Sequence, residues 1–401
     1  MTLRDRLQAS GIRRLGGPRS GFRYRRANGR AVSRAELARI RALGIPPAWR
    51  DVAIAESAQA RLQAIGQDAA GRWQYLYGAA HVEKSSRAKF DRLLAFGAAL
   101  PILRRALRRD LTRPGLPLEK AQACSLMLLS ACALRPGAEV YARQGTYGLA
   151  TLRPGHIEIK GDNLRLHFRG KHGVMQDHSI RNRVLARMLR EMKRMPGLEL
   201  LKYRDEQGQV CDIRHRHINA YVKESMGRRF SARDFRTWAA TLLCGAALRR
   251  EAQDGTRSRE RAIAHAVKET AGRLGNTPAV VRASYIHPRL IVWFRQGRVV
   301  TRGLARHEAL MGHRHAGLDR SERALLALLR NAPRERSLVS ALRSSRRLPS
   351  RHLRTRHPRA ARPATRLRRR DPRPIPPRNA STSGRGAPAA WPRRGRAAAA
   401  P

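Results

Sequence analysis

Cysteine is scarce in this chain, and its spacing does not fit a metal site. Only four cysteines occur in 401 residues, without any Cys-x-x-Cys pair: Cys124, Cys132, Cys211 and Cys244. Histidines and carboxylates are scattered and do not form ligand sets. These features argue against a disulfide-rich secreted domain and against a zinc-binding protein. We expect free thiols in a reducing compartment, and neither a metal ion nor another cofactor.

Acidic residues are also few. Lys and Arg total 84 against 29 Asp and Glu, giving a formal net charge of +55 and an isoelectric point near 11.9. Such a charge repels itself unless a polyanion neutralises it, so a nucleic acid is the leading partner. The alternative is an Arg-rich composition without a bound partner. It is weakened because basic residues also lie within patterned, foldable segments.

Long apolar runs are missing as well. The longest, Ala121–Leu134, is too short to span a bilayer and stops at Arg135. The first residues, Met-Thr-Leu-Arg-Asp-Arg, are charged and lack the apolar core of a secretory signal. We therefore expect no membrane contact and a cytoplasmic, nucleoid-associated protein.

The N-terminal part predicts a small β-rich region. Residues 1–20 are basic and Gly-rich, and we expect them to be loosely ordered. Ser33 and Glu36 form a capping box that opens a short helix. Farther along, a strand after a Gly-rich turn carries three aromatic side chains on one face: Trp73, Tyr75 and Tyr77. Contact with DNA beside Arg72 and packing in a core explain this face equally well.

Past about residue 83 the apolar spacing becomes helical. A helical pattern at 86–111 is interrupted at Pro101, and Leu118–Leu134 predicts a central core helix. A β section follows, with runs at Tyr147–Leu152, 156–160, 164–168 and 174–180. Its second turn, Arg-Gly-Lys-His-Gly, places Lys171 at the tip of a mobile hairpin. A lysine there is usually only a solvated charge, but two flanking glycines allow it to reach into a partner's groove.

Two arginines and one tyrosine lie in distinctive positions. Arg135 directly follows the apolar helix, where it could grip a ligand or simply complement the helix dipole. Arg236 falls in the first turns of a helix opened by Ser231, close to Arg233, and a helix start can hold an anion. Tyr285 ends a short helical run that begins at Thr277-Pro278.

Taken together, these patterns indicate an α+β protein with three regions. We predict a β-rich DNA-clamp domain at 1–82, a mostly helical catalytic domain at 83–306, and a short helix with a disordered Arg/Pro/Ala-rich tail at 307–401. The tail would add salt-sensitive DNA affinity, unless its composition has no selected role.

Five ordered motifs resemble the type IB DNA topoisomerases in their compact bacterial and poxvirus form. They are GRWQYLYG, RPGAEVYARQGTYGLATL, FRGKHGV, RDFRTWAAT and LGNTPAVVRASYIHP. The resemblance runs from about Arg23 to Phe294. It implies a β-rich N-terminal domain and a catalytic domain of the tyrosine recombinase and topoisomerase IB type, which close around duplex DNA as a clamp.

The resemblance also implies roles for single residues. Tyr285 would be the nucleophile, Arg135 and Arg236 would bind the phosphate, and Lys171 would be the general acid. Asn276 occupies a position where the superfamily often has histidine; it can donate a hydrogen bond to a phosphate oxygen but cannot transfer a proton. Six further positions match expected DNA contacts: Arg72, Gln74, Tyr75, Tyr77, Tyr141 and Arg233.

The implied reaction is relaxation of supercoiled DNA without ATP. A tyrosine would attack a phosphodiester, form a 3′-phosphotyrosine, allow the duplex to rotate, and be displaced by the 5′-hydroxyl. The expected enzyme is a monomer acting on duplex DNA. Two alternatives stay open: a tyrosine site-specific recombinase, which uses the same kind of site, and a non-catalytic DNA-compacting protein. Tyrosine recombinases often have His-x-x-Arg where this chain has Arg233-Asp-Phe-Arg236.

Overall fold

A computed structural model of the protein describes residues 1–300 and 316–331. The predicted disordered tail beyond residue 331 therefore lies outside the described residues. Among the described helices, none combines the length and the apolar character that a bilayer crossing requires.

The N-terminal region is a five-stranded antiparallel sheet. Its spatial order is β2-β1-β3-β4-β5, and its strands are β1 Ile12–Gly17, β2 Gly21–Arg25, β3 Arg50–Ile54, β4 Leu62–Gln67 and β5 Trp73–Tyr77. Helix α1 Leu3–Ser10 precedes β1, and helix α2 Arg34–Ala42 lies between β2 and β3 in the chain. The predicted capping box of Ser33 and Glu36 is confirmed at the start of α2.

The expectation that residues 1–20 are loosely ordered was wrong. Helix α1 begins at a capping box in which Thr2 and Asp5 satisfy each other's backbone N–H groups. Directly afterwards, Ile12 of β1 is fully buried opposite Ile54 of β3. Leu7 of α1 also packs against the sheet, so a few apolar residues order this strongly charged segment.

Strand β5 forms one edge of this sheet, and two of its three aromatic side chains lie outside the core. Leu76 packs against the apolar cluster around Ile54, whereas Tyr75 and Tyr77 are 42% and 44% exposed. Packing in a core therefore does not explain these two tyrosines. Trp73, by contrast, packs against a small buried cluster that includes Ile65.

Helix α3, Ala79–Leu111, follows β5 after Gly78 and starts ahead of the predicted domain boundary at residue 82. The predicted interruption at Pro101 was wrong, because the helix runs through the proline. A proline removes one backbone donor from a helix. Here the buried Leu100, Leu103 and Leu107 keep the helix packed on both sides of the lost hydrogen bond.

Together with α3, the remaining helices form most of one large apolar core, except for the short α5, which buries no residue. Their bounds are α4 Leu118–Cys132, α5 Glu139–Ala142, α6 Arg183–Arg194, α7 His215–Met226, α8 Ala232–Asp254, α9 Arg259–Leu274, α10 Pro278–Ser284 and α11 Pro288–Arg295. Cys124, Cys132 and Cys244 are buried as free thiols, and burial raises the pKa of each to about 12.

Two small sheets lie between α5 and α7 in the chain. A three-stranded antiparallel sheet has the order β6-β7-β8, with β6 Ile157–Lys160, β7 Asn163–Arg169 and β8 Met175–Arg181. Strands β9 Lys202–Arg204 and β10 Val210–Asp212 form a hairpin. The predicted strand at Tyr147–Leu152 was wrong, since Leu149–Thr151 is a turn of 3₁₀ helix. The N–H groups of Leu149 and Ala150 bond to carbonyls of the preceding loop.

A last described helix, α12 Arg320–Arg330, packs against α3, α8 and α11. Its Glu322 forms a buried ion pair with Arg104 of α3 at 2.7 Å and accepts a hydrogen bond from the indole of Trp238 at 3.3 Å. Carbonyls at its end accept hydrogen bonds from Arg289 and Trp293 of α11. By these contacts α12 is part of the helical core, and the predicted boundary at residue 306 stays a prediction.

Candidate active site

Arg135 stands in a short loop directly after helix α4. The helix ends at Ala133, which adopts a left-handed conformation with φ of 47°, so the chain turns sharply before the arginine. The carbonyls of Arg135 and Pro136 then accept hydrogen bonds from the N–H groups of Leu149 and Ala150, at 2.8 and 2.9 Å. The loop is thereby fixed to the next motif of the chain.

Two glycines allow the Arg-Pro-Gly segment that starts at Arg135 to pack closely against the Tyr-Gly-Leu-Ala segment that starts at Tyr147. Gly137 has φ of +80°, and a Cβ on Gly148 would lie 2.6 Å from the Cα of Gly137. A real Cβ atom does not approach backbone atoms so closely, so the two segments can pack in this way only with glycine at these positions. Their contact determines where Arg135 leaves the core.

Arg236 lies on the second turn of helix α8, and only 3% of it is exposed. Its guanidinium donates to the carbonyl of Ala133, at the end of α4, and to that of Leu274 at 2.9 Å, at the end of α9. Burial, and then the nearby positive charge of Arg135, lower the pKa of Arg236 to about 10. Two helix ends therefore fix a buried cation beside Arg135.

Asn276 is positioned by the end of helix α9. Gly275 adopts the left-handed conformation at φ of 60°, and the N–H of Asn276 bonds back to Ala271 at 3.1 Å. The side-chain oxygen of Asn276 accepts a hydrogen bond from Arg135. Its side-chain nitrogen is buried without a hydrogen-bond partner among the described residues. A free amide donor beside two guanidinium groups suits an oxyanion.

Tyr285 closes helix α10, which begins at Thr277 with Pro278 in its first turn. Its ring centroid lies 5.5 Å from the guanidinium carbon of Arg236. Burial lowers the pKa of Arg135, and the phenol of Tyr285 partly opposes this effect. The structure brings together four predicted residues, Arg135, Arg236, Asn276 and Tyr285. We call them the phosphate pocket after the role that the resemblance implies for them.

A residue that the sequence did not single out also fixes Tyr285. The hydroxyl of Thr241 on α8 is fully buried; it donates to the carbonyl of Thr237 in the same helix at 2.8 Å and lies 3.2 Å from the carbonyl of Tyr285. It also accepts a hydrogen bond from the N–H of His287 at 3.2 Å. The spacing of Arg236 and Thr241 within one helical motif was the available signal, but a threonine in a helix interior usually reports packing alone.

Lys171 lies where it was predicted, in the turn between β7 and β8. It is exposed, and no hydrogen bond or ion pair joins it to the phosphate pocket among the described residues. The turn nevertheless lies near the pocket: after burial, Lys171, Arg135 and Arg72 together lower the pKa of the adjacent His172. At the base of the hairpin, Gln176 packs directly against Gly275.

Five predicted DNA contacts lie along β5 and α5, at a sheet edge that we call the aromatic edge: Arg72, Gln74, Tyr75, Tyr77 and Tyr141. Tyr75 and Tyr77 are exposed on one face of β5, whereas the partly buried Gln74 projects from the other face. The rings of Tyr75 and Tyr77 stack at 6.4 Å, and Arg72 lies 5.7 Å from the ring of Tyr141. Arg233, the sixth predicted contact, is exposed near the start of α8. The contact of Arg72 with Tyr141 links the sheet to α5.

Asp68 organises the aromatic edge, and the sequence analysis missed it. Its carboxylate binds Arg72 at 2.8 Å and Gln74 at 2.8 Å. Chiefly through the hydrogen bond from Arg72, the pKa of Asp68 is lowered to about 2. An aspartate that opens a Gly-rich turn was the signal, because such residues bond to the backbone two residues on.

The part of the chain that the structure describes contains no cluster of three or more His, Cys, Asp or Glu residues suited to a metal ion. The expectation of a reaction without metal or cofactor stays a prediction.

Comparison with known proteins gives two family matches. The catalytic core of eukaryotic DNA topoisomerase I matches residues 79–291, more than half of the chain. The N-terminal domain of bacterial DNA topoisomerase IB matches residues 21–68. The first match contains all four residues of the phosphate pocket and Lys171.

Individual relatives agree with these families. DNA topoisomerase 1B of Acanthamoeba polyphaga mimivirus is 34% identical over 268 residues, which cover 65% of this chain and 80% of the relative. DNA topoisomerase I of monkeypox virus and DNA topoisomerase 1B of vaccinia virus (strain Copenhagen) are each 26% identical over 239 residues, covering 58% of this chain and 72% of each relative. The fold, the buried Arg236 and half-buried Arg135 beside a tyrosine, and these matches agree: the chain belongs to the type IB DNA topoisomerases, isomerases that change DNA topology.

Proposed function

We propose that this enzyme relaxes supercoiled duplex DNA through a covalent link between Tyr285 and a DNA 3′-phosphate. The observation that carries the proposal is the position of the Tyr285 ring beside the buried guanidinium of Arg236. A phosphodiester carries a negative charge that repels nucleophiles, so its attack requires cations that are already in place.

In the first step the phenol oxygen of Tyr285 attacks the phosphorus and loses its proton to solvent. Arg135 and Arg236 bind the nonbridging oxygens and stabilise the charge of the five-coordinate transition state. The free amide nitrogen of Asn276 donates a further hydrogen bond to one of these oxygens. A new tyrosine–phosphorus ester forms while the bond from phosphorus to the 5′-oxygen breaks.

The 5′-oxygen leaves poorly as an alkoxide and needs a proton. Lys171 supplies it, because its turn lies next to the pocket and its exposed side chain is free to enter a DNA groove. When DNA is bound, the hairpin brings the ammonium group to the leaving oxygen.

The reaction then reverses on the same residues. The ester retains the energy of the broken bond, so the 5′-hydroxyl attacks it and restores the strand without ATP. Between the two steps the free end of the duplex rotates and releases supercoils. The aromatic edge and Arg233 bind the duplex.

The enzyme acts as a monomer in the cytoplasm, associated with the nucleoid. Its net charge of +55 supports tight association with DNA, and all residues of the proposed chemistry come from one chain. Gel filtration with light scattering tests the monomer; a dimer in dilute solution would contradict it.

The decisive functional assay uses a negatively supercoiled plasmid of arbitrary sequence, with EDTA and without ATP. The account predicts complete relaxation, and nicked intermediates that carry protein after denaturation. A site-specific recombinase would leave such a plasmid supercoiled because it needs its own paired sites. A DNA-compacting protein would shift the plasmid in a gel but leave its linking number unchanged.

A further inference from the structure

Helix α3 contacts the tyrosine segment through a lysine that none of the predicted roles uses. The ammonium group of Lys89 donates a hydrogen bond of 2.8 Å to the carbonyl of Ser284, the residue before Tyr285. The two residues are 195 positions apart in the sequence. Next to Lys89, the ring of Phe90 packs on His287 at 5.2 Å. One turn of α3 thus contacts both sides of Tyr285.

The charge of Lys89 is partly removed from water. The ammonium lies 4.2 Å from the ring of Phe90, and burial, followed by the charges of Arg92 and Arg233, lowers its pKa to about 8. Asp234 acts in the opposite direction, but its carboxylate is bound to Arg92 at 3.1 Å. His287 also faces this group, since Lys89 contributes to the lowered pKa of that histidine.

Helix α3 is also the direct continuation of the aromatic edge. Strand β5 ends at Tyr77, Gly78 turns the chain, and the helix then runs without a break past Lys89. From Ala79 to Lys89 the helix rises about 15 Å, at 1.5 Å per residue. A rigid element therefore connects the tyrosines that face DNA with the backbone of the nucleophile.

We propose that Lys89 is a positioning residue, which orients Tyr285 through the Ser284 carbonyl and ties that orientation to the place of helix α3 beside bound DNA. The proposal rests on the proposed role of Tyr285. A protonated amine forms a stronger hydrogen bond with a carbonyl than a neutral amine does. The bond is therefore strongest while Lys89 is charged, and it weakens as pH rises through the pKa of this lysine.

The test uses full-length protein and a suicide duplex whose cleavage traps the adduct, with rates measured on preformed complexes. Lys89→Met removes the donor and keeps the apolar stem, Lys89→Arg keeps a permanent charge, and Lys84→Met on an exposed part of the same helix is the matched control. Lys89→Met should form the adduct about 10-fold more slowly, the order expected on losing one charge-assisted hydrogen bond, with DNA affinity unchanged.

The pH profile separates positioning from plain structural support. The cleavage rates of wild type and of Lys84→Met should fall as pH rises above about 8. DNA phosphates near Arg233 would stabilise the charge of Lys89 and shift this decline to a somewhat higher pH. Lys89→Arg should keep the rate and lack this decline. The proposal is overturned if Lys89→Met cleaves like wild type, if it loses affinity together with rate, or if Lys89→Arg keeps the decline. Absence of any wild-type adduct would instead contradict the role of Tyr285.

Discussion

The phosphate pocket and the aromatic edge differ in how their cations are held. In the pocket, Arg236 is buried and bound to two backbone carbonyls, so its position is set by the ends of α4 and α9. At the edge, Arg72 is exposed and paired with a carboxylate. Lys171, outside both groups, is likewise exposed, in the turn between β7 and β8. The cation proposed to stabilise the transition state is thus built into the core, whereas the cations proposed to contact DNA or to donate the proton lie on the surface, where they can adjust to bound DNA.

The largest loss of cleavage should come from removing the proposed nucleophile of the phosphate pocket. Tyr285→Phe loses only one oxygen, so we expect an unchanged melting temperature and unchanged DNA affinity. Adduct formation should fall below detection because phenylalanine has no oxygen with which to form the ester. A denaturing gel with end-labelled suicide DNA measures this. Residual adduct at a rate comparable to wild type would show that another residue attacks.

Arg236→Ala should damage both the chemistry and the fold. It removes one transition-state cation, with an expected loss of about 10²–10⁴-fold in cleavage rate. It also leaves the carbonyls of Ala133 and Leu274 without their donor, with an expected cost of about 1–3 kcal/mol in the free energy of unfolding. Single-turnover cleavage and chemical denaturation measure the two losses. A variant of undiminished stability would contradict the role of these carbonyls.

Lys171→Ala should slow cleavage by a similar factor, about 10²–10⁴-fold, without any change in stability. Arg236→Ala should lower the stability and Lys171→Ala should not, because the first cation is buried and the second is exposed. A substrate with sulfur in place of the 5′-oxygen supplies a control, because a thiolate leaves without a proton. This substrate should restore the rate of Lys171→Ala but not that of Arg236→Ala. Equal defects on both substrates would exclude Lys171 as the general acid.

The smallest effect should follow from Tyr75→Ala combined with Tyr77→Ala. Both side chains are more than two-fifths exposed, so the change should leave stability within about 0.5 kcal/mol of wild type. We expect weaker DNA binding and a nearly normal cleavage rate in saturated complexes. Titration of a fluorescent duplex, followed by single-turnover cleavage at saturation, tests both expectations. Unchanged affinity would mean that the aromatic edge does not face DNA.

Local signals explain which parts of the site could be predicted from the sequence. Thr277-Pro278 starts a helix, Gly275 ends one, and two flanking glycines mark the turn of Lys171, so the local settings of Tyr285, Asn276 and Lys171 were predictable. The resemblance to a family then supplied their roles. The family and the α+β fold class are confirmed by the structure and the comparisons.

Long-range contacts explain what could not be predicted. Arg236 was expected only at a helix start, yet its guanidinium is held by carbonyls of two other helices. Lys89 and Thr241 reach the Tyr285 segment from 195 and 44 residues away, and neither stands in a local pattern that differs from ordinary packing. The prediction of a strand over Leu149–Thr151 was wrong, because Leu149 and Ala150 bond to the Arg135 loop and not to a neighbouring strand.

The most direct test of the central claim is to trap wild-type enzyme on a suicide duplex, digest the denatured adduct and sequence the peptide that carries DNA. The account predicts one modified residue, Tyr285, joined to the 3′-phosphate of the cleaved strand. DNA attached to any other side chain, or through a 5′-phosphate, would contradict it.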